Sequence, residues 1–501
     1  MLNFLQPWAN HFPVLLVLIP LLGGVLAPIF GRGSRGWAWA VLTTGIATII
    51  SIEMLLVVRS GGAISYPLGG WPAPFGIELK VDLLSAIVAL VVTSVGWIVT
   101  IHSRRSVQVE IPADRLGPFW SVWLLAITGL LGIIVTGDAF NMYVLLEISA
   151  LTIYGLIAMG RSRDRKALVS AFNYLILGSI GASFILIAIG LLYAHTGTLN
   201  MSDLHQRLQA SDGGATVMTA RAFLLVGLSL KMALFPLHFW MPAAYSTAPS
   251  AVASLLSATA TKVGIYMAMR FLYTVLPTEG GVLTDPNVWL LGGCAGAAIF
   301  YGSIQASRQP SLSLLLAYSS VAQVGYIVMG LAVGHIDAMT GSILHLMFHA
   351  LMKGGLFLCA GIFIYRLGSN DFTQLAGIGR RMPWTSAAVV LGGLGMIGVP
   401  GTAGFISKLH LLRGLLLADH PILAMLVLLG SAMAAIYTWK FVEIAYLKPA
   451  AEDAEEIREA PFEMLWPVWL LIGSSIWLGL NPAPVVELAT DAARALLGGG
   501  G

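Results

Sequence analysis

The sequence predicts an all-α polytopic membrane protein with about 14 transmembrane helices, arranged as two inverted-topology five-helix repeats that each contain a broken helix. Three features carry that prediction. Of 501 residues, 57% are hydrophobic and 10% charged, a balance that excludes a soluble domain. Apolar runs long enough to cross a bilayer recur from residue 11 to residue 480, and they lack the period of two that a membrane strand needs. Two of the runs, five apart, are interrupted by proline and glycine, and each carries one lysine.

In chain order the runs cover residues 11–30, 37–58, 79–101, 117–136, 138–160, 168–194, 220–244, 250–276, 287–306, 311–334, 338–365, 384–418, 420–447 and 462–480. The first lacks a basic segment ahead of it and is long enough to span, so it reads as a retained helix rather than a cleaved signal. Residues 1–116 form an N-terminal three-helix segment, 117–276 the first repeat (spans four to eight) and 287–447 the second (spans nine to thirteen). An offset of five reverses the direction of crossing, which is what makes the repeats inverted. Residues 448–501 supply an acidic loop with Glu452, Asp453, Glu455, Glu456 and Glu459, the last span and a short tail. Cys294 and Cys359 both lie inside apolar runs, so they form neither a disulfide framework nor a metal set and leave the redox compartment undetermined.

The net charge is +3, but the basic residues sit in short loops rather than in a patch, which argues against a nucleic-acid partner. Connections after odd-numbered spans hold fifteen lysines and arginines, among them Arg104, Arg105, Lys166 and Arg308. The opposite side holds five: Arg59, Lys80, Arg207, Arg221 and Arg494. The odd connections are therefore expected in the cytoplasm, with both termini outside.

Those twenty leave seven of the 27 basic residues at or near membrane depth: Lys231, Lys262, Arg270, Lys353, Lys408, Arg413 and Lys440. A charge at the centre of a spanning helix costs roughly 2.5 to 3.5 kcal/mol, so such residues normally face a hydrated interior and serve function. Arg270, Arg413 and Lys440 lie nearer helix ends, where snorkelling to the interface explains them.

Glu147 stands about two and a half turns into the fifth span, with Tyr143 and Tyr154 on its helical face. A nearby lysine would keep that carboxylate ionised; the competing reading is a protonated glutamate tying two helices together. Asp138, at the start of the same helix, reads as a cap. Lys231 precedes Pro236 by five residues, and His238, seven residues after Lys231, is expected on the same face. Proline frees carbonyls one turn back, so a break near Lys231 would expose backbone to a wet cavity. Pro400 and its neighbouring glycines repeat the pattern ahead of Lys408.

Between the breaks lie Lys262 and the series His345, His349, Lys353, whose spacing of four sets all three on one face. A histidine pair so spaced can bind metal, but no carboxylate or cysteine accompanies it, and Leu346 stands where a metallopeptidase needs glutamate. Histidines that titrate near neutrality suit a proton relay. For Lys353 the competing reading is helix packing through a carbonyl bond. No nucleophile with an oriented base, phosphate loop or redox-centre ligand set is present in the sequence, so no catalytic residue, metal or cofactor is predicted.

The segments GDAFNMYVLLEI, KMALFPLHFWMPAAY, KVGIY, HLMFHALMKGGLFL and GTAGFISK resemble, in order and over nearly the whole chain, the antiporter-like subunits shared by respiratory complex I, membrane-bound hydrogenases and Mrp multisubunit cation/proton antiporters. GGWPAPFGIELKVDLLSA before the third span and an ending soon after the fourteenth are similar to Mrp D-type subunits. Ala139 and Met142 depart from the bulkier aliphatic residues common there, without touching a titrating group.

The resemblance implies a proton-translocating subunit of a multisubunit monovalent cation (Na+)/H+ antiporter in a bacterial-type inner membrane. It implies that Glu147 pairs with Lys231, Lys262 bridges, His345 relays and Lys408 ends the second half-channel; His349 and Lys353 match less diagnostically. Expected partners are other membrane subunits, including a larger antiporter-like one, with protons moved here and Na+ or K+ passed through the complex. Two alternatives stay open: a proton-pumping subunit of a complex I-like or hydrogenase assembly, and a structural membrane anchor.

Overall fold

The computed structural model describes residues 8–30, 34–162, 165–211, 213–276, 286–449 and 457–498. Glu452, Asp453, Glu455 and Glu456 of the acidic loop lie outside the described residues. Among the described residues twelve helical segments are long and apolar enough to cross a membrane.

The N-terminal segment is α1 (Phe12–Phe30), α2 (Ser34–Gly61) and α3 (Leu83–Glu110), with β1 (Ile64–Pro67) and β2 (Glu78–Val81) between the last two. The strands pair antiparallel, Ile64 opposite Val81, and depart from the all-helical expectation: the connection rich in glycine and proline turns back on itself, and β2 takes the first residues of the run drawn from 79, so that α3 begins at Leu83. Next come α4 (Leu116–Val135), α5 (Ala139–Ala158), α6 (Lys166–Thr196), the short α7 (Met201–Gln209), α8 (Gly214–Lys231), α9 (Trp240–Thr247), α10 (Ser250–Ala258) and α11 (Ala260–Met269), the last continuing as a π-helix over Arg270–Val275. Then follow α12 (Pro286–Arg308), α13 (Leu312–Val333), α14 (Ile336–Leu367), α15 (Ile378–Arg381), α16 (Pro383–Ile397), α17 (Ala403–Leu417) and α18 (Pro421–Val442). The chain closes with α19 (Phe462–Leu480) and the amphipathic α20 (Ala483–Leu496), which the apolar runs did not foretell.

Helix starts follow local chemistry. Asp82, Asp138 and Ser311 accept from the backbone N–H groups of Ser85, Asn141 and Leu314, satisfying donors that the first turn leaves free. Lateral position follows composition. The α10–α11 segment is 94% buried along its apolar stretch, whereas α18 is 33% buried, so polar and titratable groups on the former face protein and the apolar flank of the latter faces outward. The long α14 is the spine, packed against α10, α13, α16, α17, α19 and α20. Its Gly341 lies against Leu411 of α17, and Gly414 of α17 lies against Ala338; a side chain at either glycine would force the two helices apart.

One cavity of about 750 Å³ lies among the helix ends. Lys80, Gly137, Met201, Arg270, Gly334, Ala418 and Leu496 line it, so these helix ends and connections share one face of the molecule. On the other face Glu459 binds Trp384 and Thr385 at the start of α16, and Glu110 at the end of α3 caps α10 through Ser250.

Candidate functional site

The first break is built as the sequence suggested. Helix α8 stops at Lys231, Ala233 takes a φ of 56°, and helix does not resume until Trp240, past Pro236. Trp240 Nε1 donates to the Leu230 carbonyl at 2.9 Å, satisfying one acceptor the break exposes. Lys231 is buried, with Nζ 4.0 Å from Glu147 Oε1, too far for a hydrogen bond. Neither atom has a hydrogen-bond partner among the described residues. A cavity of about 20 Å³ lined by Lys231, Ser149, Tyr174 and Gly264 adjoins the lysine and has room for about one water. Gly264 of α11 approaches so closely that a Cβ there would lie 3.2 Å from the Lys231 carbonyl, so the next span touches the break directly.

Lys262 stands at a third discontinuity, which the sequence reading missed. Thr259 (φ −122°, ψ −57°) separates α10 from α11, and Lys262 Nζ donates back to the Ser257 carbonyl. The side chain is fully buried, and its charge acts on His345, His349 and Lys353. Lys353 donates to the Leu316 carbonyl at 2.8 Å and to Ser319 Oγ, a carbonyl bond of the kind its packing reading required. His349 stacks on His345 with ring centroids 6.0 Å apart, and neither of its ring nitrogens has a partner among the described residues.

The second break follows Ile397: Gly398 and Gly401 adopt φ of 86° and 88° around Pro400. Lys408 folds back from α17 onto the end of α16, donating to the carbonyls of Met396 (2.8 Å) and Ile397 (3.0 Å) and to Ser431 Oγ (2.9 Å). It also lies over the Tyr326 ring, 4.2 Å from the centroid. The second break sets an ammonium at the negative end of a half-helix, since Lys408 reaches the last carbonyls of α16; Lys231 is the last residue of α8, and its Nζ faces Glu147 rather than a carbonyl.

His345 joins the second break to the centre. Its Nδ1 is 2.8 Å from Ser407 Oγ and its Nε2 2.8 Å from Gln323 Oε1. Gln323, Ser407 and Ser431 escape a sequence reading because neutral amides and hydroxyls in apolar runs are ordinary; only the neighbouring helix shows what they meet.

Asp138 caps α5, accepting from Asn141 N–H at 2.7 Å. Tyr143 lies half-buried one turn before Glu147 beside Phe140, and Tyr154 packs edge-on against Tyr174, which stacks on Trp240 at 3.9 Å. Two expectations need correction. His238 does not share a helical face with Lys231, because the helix ends at Lys231; it is buried between Phe235 and Phe239 and meets Tyr301 of α12 edge-on. Arg270 does not snorkel. It is buried and bound to Asp82 through both guanidinium ends, NH1 to Oδ2 at 2.7 Å, with Tyr266 and Ser85 completing its bonds. Burial raises the Asp82 carboxyl, and the Arg270 charge with the Ser85 bonds outweighs it, holding the group at about 2. Arg413 is exposed near Asp337, and Lys440 bonds the carbonyls of Ser307 and Gln309, both at helix ends as expected. Among the described residues no three His, Cys, Asp or Glu side chains gather as a metal site would require.

Residues 136–434 match the family model described as NADH:quinone oxidoreductase/Mrp antiporter, transmembrane. The chain is 40% identical to the N subunit of the NADH-quinone oxidoreductase of Desulforudis audaxviator, over 95% of its length and 97% of that relative. It is 28% identical to the D-type subunit of the Na(+)/H(+) antiporter of Bacillus subtilis, over 97% of each chain. Among solved structures it is similar to a chain of the membrane-bound sulfane sulfur reductase, an archaeal respiratory membrane complex (29% identity, TM-score 0.89, 97% of each chain). It also shares its fold with a chain of the Mrp complex from Dietzia sp. (23% identity, TM-score 0.88, covering 98% of this chain and 97% of that one).

Proposed function

We propose that this chain, which belongs to the NADH:quinone oxidoreductase/Mrp antiporter transmembrane family, moves protons along Glu147, Lys231, Lys262, His349, His345 and Lys408. It is a proton-translocating membrane subunit of the Mrp or complex I-like type, working beside other membrane subunits. One observation supports the route: buried lysines and histidines lie between one broken helix and the other, with Lys231 as the last residue of α8 and Lys408 Nζ on the last carbonyls of α16. Such groups in a packed interior are costly to bury, and a functional role is the usual reason for them. Lys353 sits beside the line, held by Leu316 and Ser319, and sets the field around His349.

The step that drives the relay is electrostatic. Glu147 stabilises the charge on Lys231; when the carboxylate moves away or is neutralised, the ammonium gives up its proton toward Lys262 through the water-sized cavity beside Gly264. Lys408 discharges at the other break. The fourteen-crossing count, reached by adding α12 and the broken pair α16–α17 to the twelve long segments, and the inverted repeats over 117–276 and 287–447 belong to the same proposal. So do the outside location of both termini and the exchange of Na+ or K+ by the complex.

A second reading couples the same relay to quinone or other redox chemistry in partner subunits. The 40% identity to a quinone oxidoreductase subunit, against 28% to an antiporter subunit, favours it. Reconstituting the intact complex in vesicles with a pH-sensitive dye tests both. A Na+ gradient that drives proton movement supports exchange, and proton movement that needs an electron donor supports the redox reading. Glu147→Ala and Lys231→Ala are expected to abolish flux with the complex still assembled; flux that survives both changes refutes the relay.

A further inference from the structure

The hydrogen bonds around His345 fix which of its nitrogens can exchange a proton. Gln323 is fully buried, and its Nε2 faces the Met396 carbonyl at 3.4 Å and Tyr437 Oη at 3.4 Å. A backbone carbonyl only accepts, so the amide NH2 group belongs on that side and Oε1 faces His345. Turning the amide over would set an oxygen against the Met396 oxygen and leave two acceptors in contact. His345 Nε2, 2.8 Å from Oε1, must therefore carry a hydrogen whether the ring is neutral or charged.

The other nitrogen meets a group that both gives and takes. Ser407 Oγ lies 2.8 Å from Nδ1 and 3.0 Å from the Gly404 carbonyl. In the neutral ring the Ser407 O–H donates to the Nδ1 lone pair. In the imidazolium Nδ1–H donates to Oγ, and the hydroxyl hydrogen turns to the Gly404 carbonyl. One proton is added, one hydroxyl rotates, and every buried polar atom stays paired in both states. The Met396 carbonyl that orients Gln323 also accepts from Lys408 Nζ, so the amide that holds Nε2 shares an acceptor with the terminal lysine.

We propose that Gln323 and Ser407 make His345 a one-sided proton carrier: Nε2 stays protonated against Gln323, and the ring gains and loses its proton only at Nδ1, on the side of α17 where Lys408 lies. Gln323 and Ser407 act as positioning residues. The proposal rests on the relay reading for its transport consequence, but the tautomer does not depend on transport.

The test uses 15N-histidine label in the intact complex in membranes, with the His345 resonance identified as the one absent from His345→Gln. The neutral ring is expected as the Nε2–H form in the wild type. Gln323→Leu, which is close in volume, removes the acceptor that holds Nε2–H and is expected to raise the Nδ1–H fraction measurably, since Ser407 Oγ can accept from Nδ1 as well as donate to it. Ser407→Ala keeps the Nε2–H form but lowers proton flux about tenfold, and Ser407→Thr, which restores a hydroxyl, returns most of it. A wild-type Nδ1–H form, an unchanged tautomer in Gln323→Leu, or full flux in Ser407→Ala overturns the proposal. Flux that survives His345→Gln alongside a wild-type Nε2–H form instead overturns the relay, and with it the transport half of this inference.

Discussion

The Glu147–Lys231 pair gives the sharpest quantitative test. At 4.0 Å, two unit charges in a protein interior of effective dielectric about 20 attract by about 4 kcal/mol. Two features reduce that here: the Glu147 side chain is 27% exposed, and no hydrogen bond joins the pair. A coupling of about 1 to 2 kcal/mol is therefore expected from a double-mutant cycle of Glu147→Gln, Lys231→Met and the two combined. The single changes should be unequal. Glu147→Gln leaves a buried ammonium without its counter-ion, whereas Lys231→Met leaves a carboxyl that is only partly buried, so the first costs more. The assay is the thermal midpoint of the purified complex, read as differences between variants, alongside proton flux in vesicles. All three variants should lose flux, since none retains both carrier and counter-charge. Additivity of the two single changes within about 0.5 kcal/mol would show that the charges do not interact, and the electrostatic step would fall with them.

Lys408→Arg should fail as completely as Lys408→Met, with flux down about a hundredfold in each, because a guanidinium does not give up its proton and the three acceptors around Nζ are arranged for an ammonium. Comparable flux in Lys408→Arg and wild type would assign Lys408 a fixed charge. Gly404→Ala should lower stability by about 3 kcal/mol or more, since the new Cβ collides with the Gly395 carbonyl and backbone cannot rotate aside; a thermal midpoint equal to wild type would contradict that packing. Asp82, held at about 2 against an ordinary 3.8, contributes stability that is present above pH of about 4 and lost as the pH falls toward 2. The difference in thermal midpoint between wild type and Asp82→Asn should accordingly narrow across that window, and a constant difference would mean that Arg270 does not depend on the Asp82 charge.

The lysines and histidines of the proposed relay were legible as candidates because each breaks a local rule that apolar runs otherwise keep, and a charge in such a run needs a reason wherever the helix is placed. The two proline breaks were legible on the same ground: Pro236 and Pro400 remove a donor, and the helices end at Lys231 and Ile397 accordingly. The break at Thr259 was not, because Ser and Thr in SATATK disturb a helix too weakly to be told from neighbours that do not. His238 shows the converse error, in which a helical spacing was carried across residues that are not helical.

Sequence alone therefore determined the solvent the chain folds in, the helical class, and which charged residue types lie within the apolar runs, since these follow from transfer free energies and backbone hydrogen bonding that act residue by residue. Tertiary structure decided which charges meet. Arg270 and Asp82 are far apart in the chain and the sequence offers no sign that they pair; Gln323, Ser407 and Met396 gain their roles only because α13, α16 and α17 bring them to His345 and Lys408. A polar side chain's function depends on the direction of its partner's lone pair or hydrogen, and that direction exists only after helices distant in sequence have packed.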